Sequence, residues 1–317
     1  MGSGPGTSSH PLSHLQLRQL RQLAAVAENG SIRAAAQRLA IGQPALSRSL
    51  RAIEDQLQVK LMERGPQGVV PTRYGEILCK YARLIDTNLR FAGEEIEEVR
   101  GSRGGSVRLG IGPYEGFTIA HRAIGNLFAR RPDLEVALVE GDYDVLVARL
   151  LGGEIDLILG PTPIAELAQR VSWEILAYTR PVPVVRSDHP LAVKTEIELE
   201  TLAEADWILP VEGTNGRARI ENVFRRHDLE PPSGPISASP SMTALELVKQ
   251  RDLVALLPRK LVEMDREAGA VRTLRLVGEE FNFPVRLTTR KFDKLSPACK
   301  GLIAEIRAVC EQIGDEL

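Results

Sequence analysis

Gln43, Ser47, Arg48 and Arg51 are the side chains in the N-terminal third best suited to recognition chemistry. They fall on one side of a helix whose other side carries Leu46, Leu50 and Ile53 at helical spacing. An apolar back with an Arg/Gln/Ser front suits the DNA major groove. A guanidinium reads guanine edges or grips phosphate, and a Gln amide reads adenine. The preceding segment must position this helix. Ser31 is a good N-cap for a helix with Arg33 outside and Ala35, Ala36 and Leu39 inside; Ile41-Gly42 makes the turn, and Gln43-Pro44 opens the second helix. The stretch Ser31–Glu54 therefore predicts a helix-turn-helix. A solvated helical hairpin would share its amphipathicity, but the next residues favour DNA. Leu57–Arg64, the turn Gly65-Pro66-Gln67-Gly68 and Val69–Arg73 predict a small wing, with Arg64 and Arg73 at its ends to clamp phosphates.

Charge agrees. Between Leu15 and Arg73 nine basic residues face four acidic ones, a net +5, while the whole 317-residue chain is −2 and the remainder therefore −7. A basic module on an acidic body fits a DNA-binding head whose body does not stick to DNA. The length allows two or three domains, no apolar run is long enough to span a membrane, and no secretory leader opens the chain. Residues 1–14 read as a flexible start; His10 and His14 there have no third ligand nearby, so no metal site is expected. Cys79, Cys299 and Cys310 suggest a reducing compartment. The last two are eleven residues apart in one predicted helix, about 16 Å at 1.5 Å per residue, too far to bond.

The pattern Ser31, Ala35-Ala36, Leu39, Gln43-Pro44-Ala45-Leu46-Ser47, Leu50, Ile53-Glu54, Leu57, Leu61, Arg64 and Thr72 with Gly75 resembles the LysR-type transcriptional regulators. Gly42 departs from it where the family usually has a capping Ser or Thr, Gln58 replaces a common Gly, and Met62 a common Phe. The resemblance implies an α+β multidomain chain: an N-terminal winged helix-turn-helix, a long linker helix and a C-terminal bilobed α/β body like periplasmic binding proteins. It also implies a non-enzymatic cytoplasmic regulator without cofactor. DNA contacts would come from Ser31, Arg33, Gln43, Pro44, Ser47, Arg48, Arg51, Arg64, Thr72 and Arg73. The implied partners are double-stranded operator DNA with an inverted repeat, a small anionic effector, the chain itself as dimer and tetramer, and RNA polymerase. The alternative is a ligand- or partner-binding protein of this fold that has lost DNA reading, for which Gly42 is the one supporting residue. The peroxide-sensing members use a cysteine pair in the body, which this chain lacks.

From Thr72 to about Arg100 the sequence predicts one helix. Tyr74, Leu78, Tyr81, Ile85, Asn88, Ala92, Ile96 and Val99 recur at three- and four-residue steps between charged positions, which favours a seam for a second subunit over an internal core, with Asn88 selecting register. Gly101–Gly105 marks the boundary. The domains are then 1–14, 15–73 (head), 74–105 (linker helix and hinge) and 106–317 (body), with one lobe at about 106–178 and 282–317 and the other at about 179–281.

The body alternates predicted strands and helices, which points to parallel sheets with crossover helices in two similar halves. Expected strands are 107–112, 134–140, 155–159, 207–210, 253–257 and 285–289, with 173–185 as an extended crossover. Gly110-Ile111-Gly112-Pro113-Tyr114-Glu115-Gly116 superficially suggests a dinucleotide fold. Its glycine spacing is wrong, Pro113 removes an amide, and no Tyr is followed four residues later by Lys, so dehydrogenase chemistry is strongly disfavoured. The same loop reads better as one wall of a cleft where helix N-termini favour an anion. Candidate effector contacts are Tyr114, Thr118, Tyr143, Thr162, Thr214, Asn215, Ser241 and Thr243. The hydroxyls could equally be helix caps. Together they suggest an anionic, aromatic-tolerant ligand, and Glu140-Gly141-Asp142-Tyr143 resembles the branch answering to sulfonates and protocatechuate.

Overall fold

Small side chains set the first helical packing. Helix α1 (Leu17–Asn29) turns Ala24 and Ala25 inward beside Leu20, Leu23 and Val26; α2 (Ile32–Arg38) buries Ala35 and Ala36; and α3 (Gln43–Leu57) buries Leu46, Leu50 and Ile53. Alanine faces let the helix axes approach, so three short helices share one core. This computed structural model describes residues 11–65, 68–101, 104–112, 119–160, 169–238, 241–278, 281–291 and 294–313. The chain divides between Ala92 and Gly93 into two compact units.

In the first unit Ser31 caps α2, its hydroxyl oxygen accepting from the Ala34 amide (3.4 Å), while Gly42 precedes α3 with no side chain to cap it. The wing is the antiparallel pair β1 (Met62–Gly65) and β2 (Gly68–Pro71), in which Arg64 lies opposite Val69. It is seated on the end of α1 by the Val69 amide, which donates to Gly30 O at 2.8 Å. Gly68 is required here. Its φ is +112°, and a Cβ would come within 2.4 Å of that same carbonyl.

Glu54 ties the recognition helix to the wing. Its carboxylate accepts from the Leu61 amide (2.8 Å), the Met62 amide (3.3 Å) and Lys60 Nζ (2.7 Å). Helix α4 (Arg73–Val99) follows at once. Thr72 caps it: Oγ1 accepts from the Gly75 amide (3.2 Å) and donates to Lys60 O (2.7 Å). The expected seam divides here. Leu78 is buried in the head's own core with Cys79 and Ala82, whereas Tyr74, Tyr81 and Ile85 are exposed.

The second unit holds two five-stranded sheets. The first lobe comprises β3 (Gly105–Ile111), β4 (Leu134–Glu140), β5 (Leu157–Gly160), β6 (Val171–Thr179) and β12 (Phe283–Arg290), in the order β4-β3-β5-β12-β6. Helices α5 (His121–Arg130) and α11 (Pro297–Ile313) pack on each other, with α11 against β3 and β6, while α6 (Tyr143–Leu151) packs on β5 and β12. The second lobe comprises β7 (Val182–Arg186), β8 (Trp207–Leu209), β9 (Ile236–Ser237), β10 (Val254–Leu257) and β11 (Val271–Thr273), in the order β11-β7-β10-β8-β9. Its helices are α7 (Leu199–Ala203), α8 (Asn215–Arg226), α9 (Ser241–Val248) and α10 (Arg259–Glu267).

Neither sheet is wholly parallel. In each, four strands run one way and one runs against them: β12, between β5 and β6, in the first, and β7, between β10 and β11, in the second. The stretch expected as an extended crossover is two strands, β6 and β7, one in each lobe. Arg180-Pro181 separates them, and proline supplies no ladder donor. The third strand begins at Leu157 rather than Ile155, because Asp156 is taken by an ion pair. Fully buried, it receives Arg108 through the amide (2.9 Å), Nε (3.3 Å) and Nη2 (2.8 Å).

Burial pushes the Glu54 carboxyl's pKa up, but the bonds from Lys60, Leu61 and Met62 outweigh it and hold it below its usual value. A lowered folded-state value means stability present at neutral pH and lost as pH falls through it. Replacing Glu54 by Gln should therefore cost the head about 1–3 kcal/mol at pH 7 and much less in acid. Urea melts of the native chain and E54Q at both pH values check this, and an equal loss in acid would contradict it.

Candidate nucleic-acid interface and effector cleft

The head presents the expected recognition face. Gln43, Pro44, Arg48 and Arg51 are exposed on α3, with Ser47 half-buried between them, and Arg33 is exposed on α2. Arg64 on β1 and Arg73 at the start of α4 are also exposed. Among the described residues none of Arg33, Arg48, Arg51, Arg64 and Arg73 makes an ion pair, whereas Arg21, Arg38 and Lys60 are engaged by Asp86, Glu28 and Glu54. Apart from Arg18 on α1, the head cations left without a carboxylate among the described residues are thus on the recognition helix, at its approach, in the wing and at the start of α4, which is where phosphate neutralisation favours them. Ser31 and Thr72 are spent as caps, Thr72 using its oxygen both to donate and to accept. Gly42 leaves the backbone path into α3 intact, so the missing side-chain cap does not displace the recognition helix.

An apolar groove of about 640 Å³ opens on the same unit, walled by Leu15, Leu57, Tyr74, Ile77, Tyr81 and Ile85. Asn88 does not belong to it. Its Nδ2 donates to Leu84 O of its own helix at 3.0 Å. Ile96, beyond the unit boundary, is exposed.

In the second unit the cleft candidates sort differently. Tyr114, Thr118 and Thr162 lie outside the described residues. Tyr143 opens α6 but faces inward, fully buried with Leu146, Val147 and Leu150, so its ring is core and only its hydroxyl is available for chemistry. Burial pushes that hydroxyl's pKa up to about 12. Thr214 is a cap for α8: Oγ1 accepts from the Arg217 amide (3.3 Å) and donates to Val211 O (2.7 Å). Asn215 is the first residue of α8, and Thr243 is exposed in the first turn of α9. The structure brings together Asp142, Gly216 and Ser241, the starts of α6, α8 and α9, around a cavity of about 30 Å³. A Cβ at Gly216 would be 4.0 Å from Asp142 Oδ1 across the lobes. Burial, then Asp144, raises the Asp142 pKa.

Arg219, Arg286 and Thr288 escaped the sequence reading. A signal was present: in β12 the polar residues Arg286, Thr288 and Arg290 alternate with Val285 and Leu287, yet both sets are largely buried. Arg290 caps α6, its Nη1 donating to Leu150 O (2.9 Å) and Ile155 O (2.8 Å). The glycine that suggested a dinucleotide fold has a packing reason. A Cβ on Gly110 would meet Ile155 at 2.7 Å. All three cysteines are buried and none forms a disulfide among the described residues, and burial pushes Cys79 and Cys310 up to about 11, so their thiolates are scarce at neutral pH.

Residues 17–76 match the family "Bacterial regulatory helix-turn-helix protein, lysR family", and residues 100–311 match "LysR substrate binding domain". The regulator GbpR of Azospirillum brasilense is 29% identical over 94% of this chain and 88% of its own. An SDS degradation transcriptional activation protein of a Pseudomonas species is 31% identical over 82% of this chain and 84% of its own. The structure of CbnR, a LysR family transcriptional regulator, shares the fold at TM-score 0.69 and 21% identity, spanning 93% of this chain and 99% of that one. Head, long helix and two-lobed body thus agree with both family matches, and the chain belongs to the LysR-type transcriptional regulators, DNA-binding proteins with an effector-binding domain and no enzymatic function.

Proposed function

We propose that this regulator reads an inverted-repeat operator as a symmetric oligomer and is switched by a small anion held where its two lobes meet. The observation that carries the effector reading is the convergence of Asp142, Gly216 and Ser241, three helix starts from two lobes, on one cavity. Free N-terminal amides and the helix dipoles favour negative charge there. Asp142 opposes it while ionised, and among the described residues none of the others lining the cavity carries a charge. A neutral Asp142 turns from a repelling group into a hydrogen-bond donor. The two-fold operator follows from a two-fold protein. The exposed apolar side of α4 supplies the self-contact, with Tyr74, Tyr81 and Ile85 at its centre and Leu78 excluded from it. Tetramer formation and contact with RNA polymerase are parts of the same proposal that rest on the family resemblance. DNA reading rests on Gln43, Ser47, Arg48 and Arg51 as base-facing groups, with Arg33, Arg64 and Arg73 on phosphates.

Three outcomes test this. Alanine at Arg48 or Arg51 should weaken binding to a selected operator by about 1–3 kcal/mol and relax base preference, while alanine at Arg64 or Arg73 should weaken all sequences alike and lower the salt slope by about one. Fluorescence anisotropy across a salt series separates the two classes, and four unaffected variants would refute the assignment.

Aspartate at Ile85 should halve the mass measured by light scattering without loss of helical circular dichroism, since a charge would be buried in the seam. Unchanged mass would remove this face from the subunit contact.

Benzoate and acetate, tested on the full-length protein, should bind more tightly as the pH is lowered, because burial raises the pKa of Asp142 and its repelling charge is lost earlier in the descent than that of an exposed aspartate. Asp142→Asn should flatten the dependence and Ser241→Ala should weaken binding severalfold. Titration calorimetry reads both, and binding indifferent to either change would place the site elsewhere.

A further inference from the structure

A second polar grouping lies on the face of β12 that turns toward α6. The hydroxyls of Tyr143 and Thr288 are fully buried, and neither has a hydrogen-bond partner among the described residues. Thr288 is near enough to lower the tyrosine's pKa against the effect of burial, but the two oxygens do not meet in hydrogen-bond geometry. Buried hydroxyls of native proteins are normally satisfied, so two together mark a place built for something else.

Arg286 stands two residues before Thr288 on the same strand face. It is 8% exposed, with its guanidinium 5.0 Å from the centre of the Trp173 ring. From the other lobe, Arg219 in the second turn of α8 lays its guanidinium 4.1 Å from the centre of Phe283, three residues before Arg286. Ring faces attract cations, which helps two guanidiniums from opposite lobes converge. They still repel: burial, then Arg219, depresses the Arg286 pKa. The carboxylates bordering this ground are Asp142 and Asp144 at the start of α6, and Tyr143 lies between them in sequence.

We propose that Arg219, Arg286 and the hydroxyls of Tyr143 and Thr288 form a subsite for an anion of two negative charges, a dicarboxylate or a phosphate or sulfate group. This rests on the reading that the effector is an anion between the lobes, and it names the class. One charge faces each guanidinium, the ligand's oxygens accept from the two hydroxyls, and the second charge lets the ligand outweigh the neighbouring carboxylates. Because the guanidiniums belong to different lobes, the anion joins the lobes as it binds.

The test is titration calorimetry and thermal melting of the full-length protein with succinate, phthalate and phosphate against acetate, benzoate and chloride at matched ionic strength. Dianions should bind at least tenfold more tightly than their monoanion counterparts. Arg219→Met and Arg286→Met, which keep an apolar stem, should abolish that preference; Arg286→Lys serves if the second fails to fold. Phosphate stabilises many proteins by exclusion from their surface, so the R219M variant is the reference for it. Preference for phosphate alone assigns the site to phosphoryl or sulfuryl groups, and preference for succinate or phthalate assigns it to dicarboxylates. Equal affinity for mono- and dianions, or a dianion preference that survives in R219M, overturns the subsite. If monoanion binding then still responds to D142N and S241A, the cleft reading stands without it. Stabilisation by none of these anions beyond chloride overturns both.

Discussion

Strand β12 is the constraint on which the body depends. It is hydrogen-bonded on both edges, to β5 and β6, inside the first lobe's sheet. Just before it, Phe281 is buried among the aromatic rings of the second lobe, 6.4 Å from Trp207 and 6.2 Å from Phe224 between ring centres. Phe283, its first residue, is shared: it pairs with Thr179 in the ladder yet packs in the second lobe's core. Polar groups along one face of the strand then meet α6, with Arg290 satisfying carbonyls at the helix end. A strand locked at one end in a sheet and at the other in a foreign core can transmit a change in lobe separation but cannot absorb it. Its register shift between Val285 and Arg286 falls at the point where the two anchorages meet.

The head obeys a different economy, that of charge. Acidic partners neutralise Arg21, Arg38 and Lys60, and each of these contacts also braces the module: α1 to α4, α1 to α2, and α3 to the wing. Exposed pairs of this kind contribute little individually to stability. Their effect on the surface is to leave the positive potential where Arg33, Arg48, Arg51, Arg64 and Arg73 stand. Glu54 differs because its oxygens also hold backbone amides, so it fixes the angle at which β1 leaves the recognition helix.

The head was legible in the sequence because its determinants are local. Helical spacing, a Ser cap, a Pro in the first turn and a four-residue turn each lie within a few residues of what they control. The return strands were not, since antiparallel pairing of β6 and β7 with β12 and β10 joins residues roughly a hundred positions apart for the first and seventy for the second, and local pattern is silent about such partners. Tyr143 was legible in two ways at once: Tyr143, Leu146, Val147 and Leu150 form an i, i+3, i+4, i+7 stripe, which marks core, and its place at a helix start suggests a ligand contact, so the ring is buried and the hydroxyl alone is left for a ligand. Leu78 shows the converse: a helix with two apolar neighbours carries one continuous stripe, and periodicity alone does not divide it between them. The grouping of Tyr143, Arg219, Arg286 and Thr288 draws on three separate segments, and only the fold brings them together.

An effector shifts a two-state protein only through its difference in affinity between the states. The cavity between Asp142, Gly216 and Ser241 holds about 30 Å³, room for about two waters and less than any carboxylic acid of metabolism needs. A ligand of that size therefore enters only when the starts of α6, α8 and α9 stand further apart than here. In the proposed subsite, separating them would move α8 away from β12 and relieve the repulsion between Arg219 and Arg286, and an anion arriving between the two guanidiniums would replace that repulsion with attraction at the new spacing. The ligand thus favours a lobe arrangement distinct from the compact one, and β12 makes that arrangement felt in both lobes at once. A coupling of about 1–3 kcal/mol, the usual range for such linkage, needs no more than the exchange of one like-charge contact for two charge-assisted hydrogen bonds.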